Sequence, residues 1–284
     1  MSGAGQDWSW TKSEDRIPPE VDTSKPSIAR VYDYFLGGKD NFAVDREIAE
    51  MVFKIDPNAA ETGHANRGFL RRVVRHLTAE AGIRQFLDIG SGLPTQGNVH
   101  EVAQAVDPLT RVVYVDNDPI VLAHGRALLA TNNTTTVIQA DIREPESILN
   151  DPKVQAFIDF DEPVGLLLFA ILHHLGDNED PEGIAARFRD ILPSGSYLAV
   201  SHFFNPGEAH PEVSKQVLES ERICNEKLGT GRWRTQDEIQ AYFGDFEMVD
   251  PGLVPLSEWR PDPEDLVHQG STYYTIVGGL ARKP

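Results

Sequence analysis

Four short polar runs, each directly after an apolar one, carry the residue types that could do chemistry in this chain. The first is Asp88-Ile89-Gly90-Ser91-Gly92, behind Gln85-Phe86-Leu87; the second is Asp116-Asn117-Asp118. The third is Asp141-Ile142, and the fourth is His173-His174, shortly after Phe169-Ala170. Glycine at 90 and 92 removes side chains that would hold a ligand off the backbone. Asp116 can accept from both hydroxyls of a ribose, the part an acidic residue plays after the second strand of nucleotide-binding folds. Asp141 can accept from an exocyclic adenine amine, with Ile142 against the ring. Asp88 stands beside the glycine turn, where it would repel a pyrophosphate and attract an ammonium or sulfonium. These residue types fit an adenosyl group with a cationic tail better than a dinucleotide.

Further candidates lie outside the four runs. Asn66 and Arg67 open a predicted helix, where backbone amides and a guanidinium suit a carboxylate. Tyr32 and Phe35 fall on the apolar stripe of their helix, whereas Tyr34 is off it and is the expected pocket residue. Lys39, Asp40 and Asn41 follow Gly37-Gly38 and suit a lid, with a solvated loop as the plain alternative. One ring of His173-His174 could serve as a general base, and a packed strand-end histidine is the equal alternative. A metal is not expected, because adjacent histidines rarely reach one ion and no other cluster has ligand spacing. Arg67, Arg71, Arg72 and Arg75 read as a solvated helix face. Cys224 reads as a buried helix residue.

The elements that must position these residues follow from periodicity. Residues 1–22 are expected to be a flexible arm. Ser24 and Pro26 open a helix with Ile28, Val31, Tyr32, Phe35 and Leu36 on one face, stopped by Gly37-Gly38. A second helix spans about Val44–Lys54 and a third about His64–Glu80. These form an N-terminal helical cap, residues 23–82. From 83 onward strands alternate with helices: Gln85–Ile89, Arg111–Val115, Thr135–Ala140, Val164–Ile171 and Tyr197–His202. The first crossover helix is expected over Gln96–Val106, with Thr95 and Asn98 as its opening residues. A less regular helical stretch lies near Glu146–Phe160. The alternation predicts a doubly wound α/β fold with a mostly parallel, seven-stranded sheet. A long helix over Pro211–Leu228 and a capping box at Thr235-Gln236-Asp237-Glu238 fall in an insertion at about 204–245. Two strands, near Phe246–Val254 and Tyr273–Leu280, are expected to form an antiparallel C-terminal pair.

Composition bounds the answer. The 284 residues suffice for one large domain with embellishments, and the 40% hydrophobic content suits a soluble globular protein. A net charge of −18 argues against nucleic acid as a partner. No apolar run approaches the ~20 residues that span a bilayer, so no membrane partner is expected. A single cysteine and no signal-peptide pattern point to the cytoplasm.

The set Asp88-Ile89-Gly90-Ser91-Gly92, Val115-Asp116, Ala140-Asp141-Ile142 and Leu172-His173-His174-Leu175 resembles the motif series of the class I S-adenosylmethionine-dependent methyltransferases. Leu192-Pro193-Ser194-Gly195-Ser196-Tyr197-Leu198 looks like the turn into their fifth strand. Upstream, Tyr32 through Phe42 and Asn66-Arg67-Gly68-Phe69-Leu70 extend the likeness to a largely actinobacterial S-adenosyl methyltransferase family of unassigned substrate. The chain departs from many class I members after Gly92, where Leu93-Pro94-Thr95 stands in place of a third glycine. The resemblance implies S-adenosyl-L-methionine as cofactor, bound by Asp88, Gly90, Ser91, Gly92, Asp116, Asn117, Asp141, Ile142, Phe169, Asn66 and Arg67. It implies a small-molecule acceptor near Tyr34 and Asn41, with His173 or His174 as base if the nucleophile is a hydroxyl; a homo-oligomer is left open. Two other readings stand beside it. An NAD(P)-dependent oxidoreductase would need Gly-x-Gly-x-x-Gly, with Thr95 at the third glycine, and a second mononucleotide half. A non-catalytic adenosyl-ligand sensor would need neither base nor acceptor.

Overall fold

The computed structural model describes residues 21–94, 97–128, 133–262 and 271–284; the expected arm through residue 20, and the expected helix-opening residues Thr95 and Gln96, lie outside them. Three helices come first: α1 (Ile28–Phe35), α2 (Ala43–Ile55) and α3 (Ala59–Ala79). Then follow β1 (Gln85–Ile89), α4 (Val99–Val106), β2 (Arg111–Asp116), α5 (Pro119–Leu128) and β3 (Thr135–Gln139). The irregular stretch resolves into two proline-opened helices, α6 (Pro145–Leu149) and α7 (Pro152–Phe157). β4 (Gly165–Phe169), α8 (Pro181–Ile191) and β5 (Tyr197–Phe203) complete the alternation. The last part holds α9 (Pro211–Leu228), α10 (Gln236–Ala241), β6 (Glu247–Met248), β7 (Val254–Pro255) and β8 (Ile276–Arg282).

The sheet runs β3-β2-β1-β4-β5-β8-β6, with β7 also on β8. The first five strands are parallel, and β8 is antiparallel to β5. The sheet therefore has eight strands rather than seven. The strand expected near Phe246–Val254 is broken by Pro251, which has no N–H to give the ladder, and by Gly252 at φ 90°. The two pieces pair separately with the two ends of β8. That last strand starts later than expected because Ser271–Tyr274 form a 3-10 turn.

Both faces of the sheet are covered, and the strand sequences show why. Leu87, Val113, Leu166, Leu198 and Val277 point into one core; Phe86, Val112, Leu167, Ala199 and Ile276, each one residue away, point into the other. Side chains alternate along a strand, so a run apolar at every position must be buried twice. α3 closes the second core with Phe69, Val73, Val74 and Leu77. It brings two of the four arginines inward. The Arg72 guanidinium donates to the carbonyls of Trp259 (2.9 Å) and Leu256 (2.6 Å). Arg67 donates to Gly97 O and Asn98 Oδ1, both at 3.2 Å. Only Arg71 and Arg75 remain on a solvated face.

Candidate functional site

The carboxyl ends of β1 and β2 are built by local hydrogen bonds. The amides of Gly90 and Ser91 both donate to Val115 O, at 2.8 and 3.2 Å, so the turn stays on the neighbouring strand. Gly90 has φ 75°, and a Cβ there would lie 2.5 Å from Ile171 Cγ1. Glycine is needed both for the conformation and for the approach of the turn after β4. Gly92, at φ 66°, faces open space. Its amide donates to Asp116 Oδ2 (2.8 Å), while the Asp118 amide donates to Oδ1 (2.9 Å). Each oxygen of Asp116 keeps lone-pair capacity for a ligand donor. Burial pushes Asp116 up to about 6, opposed by those amides. Asp88 is only 4% exposed. Burial pushes it up to about 7, with the Arg67 guanidinium opposing and Asp116 adding to the rise.

The ends of β3 and β4 differ. Asp141 does not border the cavity described below; Ala140, Ile142 and Arg143 do. The Arg143 amide donates to Asp141 Oδ1 at 2.9 Å and its guanidinium to Oδ2 at 3.1 Å, so an Asx turn holds the carboxylate on its neighbour. After Phe169, Ala170 takes φ 52°. This left-handed conformation is costly for alanine and marks functional turns. Its amide donates to Ser201 Oγ (2.9 Å), Ser201 Oγ donates to Asn66 Oδ1 (2.6 Å), and Asn66 Nδ2 donates to Tyr32 OH (3.1 Å). The strained turn is thus tied through β5 and α3 to α1. Asn66 borders the cavity, yet its amide is engaged at both ends.

The two histidines sit in unlike surroundings. The His173 ring is 1% exposed and lies flat on Phe203, with centroids 3.6 Å apart and planes 9° apart. Its Nδ1 accepts from the Phe203 amide at 3.2 Å. Burial holds it well below the ordinary histidine range, as do His174, His202 and Arg234. His174 has no hydrogen-bond partner at Nδ1, and burial with the nearby Arg143 pushes it down to about 4. Both rings are neutral at pH 7. Their backbone is clamped by the segment after α9. Thr230 Oγ1 donates to His174 O, and the Arg232 amide donates to His173 O (2.8 Å). Buried Arg234 donates to Leu172 O, Leu175 O and Asp177. Trp233 stacks on the other face of Phe203, centroids 4.3 Å and planes 10° apart. Neither Arg234 nor Trp233 carries a pattern that sequence reading could single out.

The cap departs from expectation. Tyr34 does not border the cavity; its OH donates to Glu50 (2.8 Å) and its ring lies against Phe53. Tyr32 and Phe35, on the apolar stripe, border it instead. The stripe of α1 is itself the wall, so off-stripe residues turn away. Asn41 is also outside. Its Nδ2 donates to Asp33 Oδ2 (2.8 Å) and Gly38 O (3.1 Å), and Lys39 and Asp40 stay with the same loop, off the cavity. That loop is folded on Asp33 rather than laid over the cavity. The cap is held by a buried pair, Arg30 Nε to Asp45 Oδ2 at 3.0 Å, and by Ser27 Oγ donating to Asp118. The α1 cap residue is Ser27; Ser24 instead binds Asp22.

A cavity of about 580 Å³ follows the carboxyl edge of the sheet, from Ile142 after β3 to Phe203 at the end of β5. It brings together Asp88, Gly90, Ser91 and Gly92; Asp116 and Asn117; Ile142 and Phe169; Asn66 and Arg67; and His173 and His174. Its far wall is Val217, Ser220, Cys224 and Leu228 of α9 together with Trp233. Burial pushes the Cys224 thiol up to about 11, so it is an inert wall residue.

Sequence and structure comparisons name this arrangement. Residues 14–284 match the family described as S-adenosyl methyltransferase. The chain belongs to that family. Its cofactor is S-adenosylmethionine. A Thermobifida fusca YX protein, described as a candidate methyltransferase, is 48% identical, with a TM-score of 0.87 over 94% of this chain and 98% of that one. A DUF574-family protein from Streptomyces avermitilis is 40% identical, with a TM-score of 0.87 over 93% and 99% of the two chains. A SAM-dependent methyltransferase from Anabaena variabilis, 17% identical at TM-score 0.50 over 76% and 86%, shares the fold. No curated protein matches. The residues present fit the group: open space at Gly92, unused lone pairs on Asp116 and a buried carboxylate at Asp88. Among the described residues, no helix is long and apolar enough to cross a membrane.

Proposed function

We propose that this methyltransferase moves a methyl group to a small molecule held between α1, α2, α9 and the end of β5. The observation that carries this reading is a continuous cavity along the strand ends, acidic and glycine-lined at β1 and β2, apolar and aromatic at β5. When bound, S-adenosylmethionine supplies a methyl already activated on a sulfonium. Asp116 receives the ribose hydroxyls on its unused lone pairs, and Ile142 flanks the adenine. Asp88 receives the α-ammonium, and the neighbouring Arg67 favours the α-carboxylate. A cation at Asp88 also restores the ionised carboxyl that burial disfavours. Phe169 and the strained Ala170 turn stand where β4 ends, between these groups and the aromatic lobe in the order of the strands. Fixed walls on both sides supply alignment, worth roughly 7–11 kcal/mol when the reacting atoms are held in line.

The dinucleotide alternative lacks its second half among the described residues, because antiparallel β8 follows β5 where another parallel strand would be needed. Its test position, Thr95, lies outside them. Calorimetry tests the reading: S-adenosylmethionine and S-adenosylhomocysteine should each bind one per chain and NAD should not. A folded protein giving heat with NAD alone, or with none of the three, refutes it.

A further inference from the structure

The methyl-transfer reading leaves the acceptor open, and the two histidines narrow it. His173 is locked. Its ring is stacked on Phe203, and Nδ1 is spent on the Phe203 amide. A neutral ring that accepts at Nδ1 carries its proton at Nε2, so His173 can offer a ligand only a donor. His174 is not locked, since no hydrogen bond within the described residues fixes its tautomer. Its Nδ1 is shut in by the protein, so the nitrogen left to the cavity is Nε2, which can offer an acceptor. The cavity therefore presents one fixed N–H donor and one proton acceptor on adjacent residues.

A nucleophile that uses both must donate a proton, accept a hydrogen bond, and still have a lone pair for attack. A neutral amine has one lone pair, and a hydrogen bond from His173 would mask it. A hydroxyl oxygen has two. The rest of the lobe selects for the body of the molecule. Tyr32, Phe35 and Trp233 supply ring surface, Phe203, covered on both faces, only its edge, and Val52, Val217 and Leu228 aliphatic surface. Apart from Arg67, assigned above to the cofactor carboxylate, the bordering cations are already paired: Lys25 with Asp22, Arg30 with Asp45, and Arg143 with Asp141 and Glu179. The carboxylates that also border the cavity, Asp22, Asp56 and Asp118, disfavour an anionic acceptor. Resting on the methyl-transfer reading, we infer that the acceptor is a planar aromatic hydroxyl compound without an anionic group, methylated on oxygen, with His174 as base and His173 as hydrogen-bond donor.

The step balances. A lone pair of the hydroxyl oxygen forms the new bond to the methyl carbon as the carbon–sulfur bond breaks. The sulfur leaves with that bond's electron pair as a neutral thioether, and the hydroxyl proton passes to Nε2 of His174. An aromatic hydroxyl suits this base better than an aliphatic one. His174 is a weak base, faced by the His173 and His202 rings and by Arg143, so it takes only a proton that is already acidic. A phenol ionises near 10, far below an alcohol.

The test uses 2-naphthol, 4-hydroxybiphenyl and 7-hydroxycoumarin, each against its amino isostere. The first readout is binding to cofactor-free protein by calorimetry, where each hydroxyl compound should bind about 5- to 10-fold tighter than its isostere, the worth of one net hydrogen bond. The second is methyl ether formation with S-adenosylmethionine. His174→Ala should lower kcat by about 100- to 10,000-fold with KM little changed. The loss should shrink as pH rises toward the ionisation of the phenol, while the native enzyme stays level from about pH 6 to 8. His174→Gln, which hydrogen-bonds but takes no proton, should be as slow. Methylation of amines in preference to hydroxyls overturns the inference, as does no methylation of any hydroxyl compound by protein that binds S-adenosylmethionine, or a His174→Ala enzyme with native rate and pH profile. A protein that does not bind S-adenosylmethionine fails at the underlying reading instead, and the naphthol titration, read without the cofactor, tells the two failures apart.

Discussion

The two ends of the cavity are built in opposite ways. At β1 and β2 the functional groups are main-chain amides, two glycines and two carboxylates, all within a few residues of a strand end, with the turn and Asp116 fixed by hydrogen bonds. At β5 the wall is assembled from α1, α2, α9 and the 230–234 segment, largely from apolar and aromatic side chains, and its two histidines are kept neutral. One end recognises a ligand by charge and hydrogen bonds. The other selects by shape and by what it excludes. A cofactor shared across a family suits the first design, and an acceptor that differs between members suits the second.

Asp116→Ala breaks the comparison most sharply. It removes the anchor of two backbone amides and the ribose acceptor together. Two charge-assisted hydrogen bonds at roughly 1.5–3 kcal/mol each imply a loss of about 100-fold or more in cofactor affinity by calorimetry. Next is Arg30→Ala in the cap. It strands the buried Asp45 carboxylate and should cost about 3–5 kcal/mol in denaturant unfolding. Gly90→Ala and Gly92→Ala then separate conformation from contact. Both residues have positive φ, so each should lose roughly 1–2 kcal/mol from conformation. Only Gly90→Ala also meets Ile171, so it should unfold at the lower denaturant concentration.

The two ends should also respond oppositely to pH. Asp88 and Asp116 are raised above their unfolded value of 3.8, so the fold favours their protonated forms. Their contribution is best below about pH 4 and is lost as pH rises toward 6 and 7. His174 and His202 are lowered from 6.5 to about 4 and about 3, so the fold favours their neutral forms. Their contribution is full above 6.5 and is lost as pH falls toward 4 and 3. Asp88→Asn should therefore make stability rise more steeply between pH 4 and 7, and His174→Gln should make it rise less. Each change is limited to about 1.4 kcal/mol per pH unit of displaced titration, read from unfolding curves across that range. The smallest effect is expected from Tyr34→Phe, which removes only an exposed bond to Glu50 and should leave cofactor affinity and melting temperature as they were.

The same contrast explains what could be read in the sequence. The strand ends were legible because their chemistry is local: Asp88, Gly90, Gly92 and Asp116 stand beside the apolar runs that place them. α9 was legible to the residue, with Pro211 opening it and Gly229 closing it in the left-handed conformation. Tyr34 misled because periodicity marks an apolar stripe without telling a core from a cavity wall. Asp141 was placed at the right strand end, but Arg143 two residues on reclaims its carboxylate. Arg67 and Arg72 look like surface residues until the carbonyls at 97, 256 and 259, far along the chain, are folded against them. The relay from Ala170 through Ser201 and Asn66 to Tyr32 joins four elements and has no sequence signature.

The most direct test of the division is a titration of S-adenosylhomocysteine into the native protein, Asp116→Ala and Trp233→Ala. The account predicts one site per chain in the native protein, a loss of about 100-fold or more in Asp116→Ala, and near-native affinity in Trp233→Ala. Native affinity in a folded Asp116→Ala, or loss in Trp233→Ala alone, would contradict it.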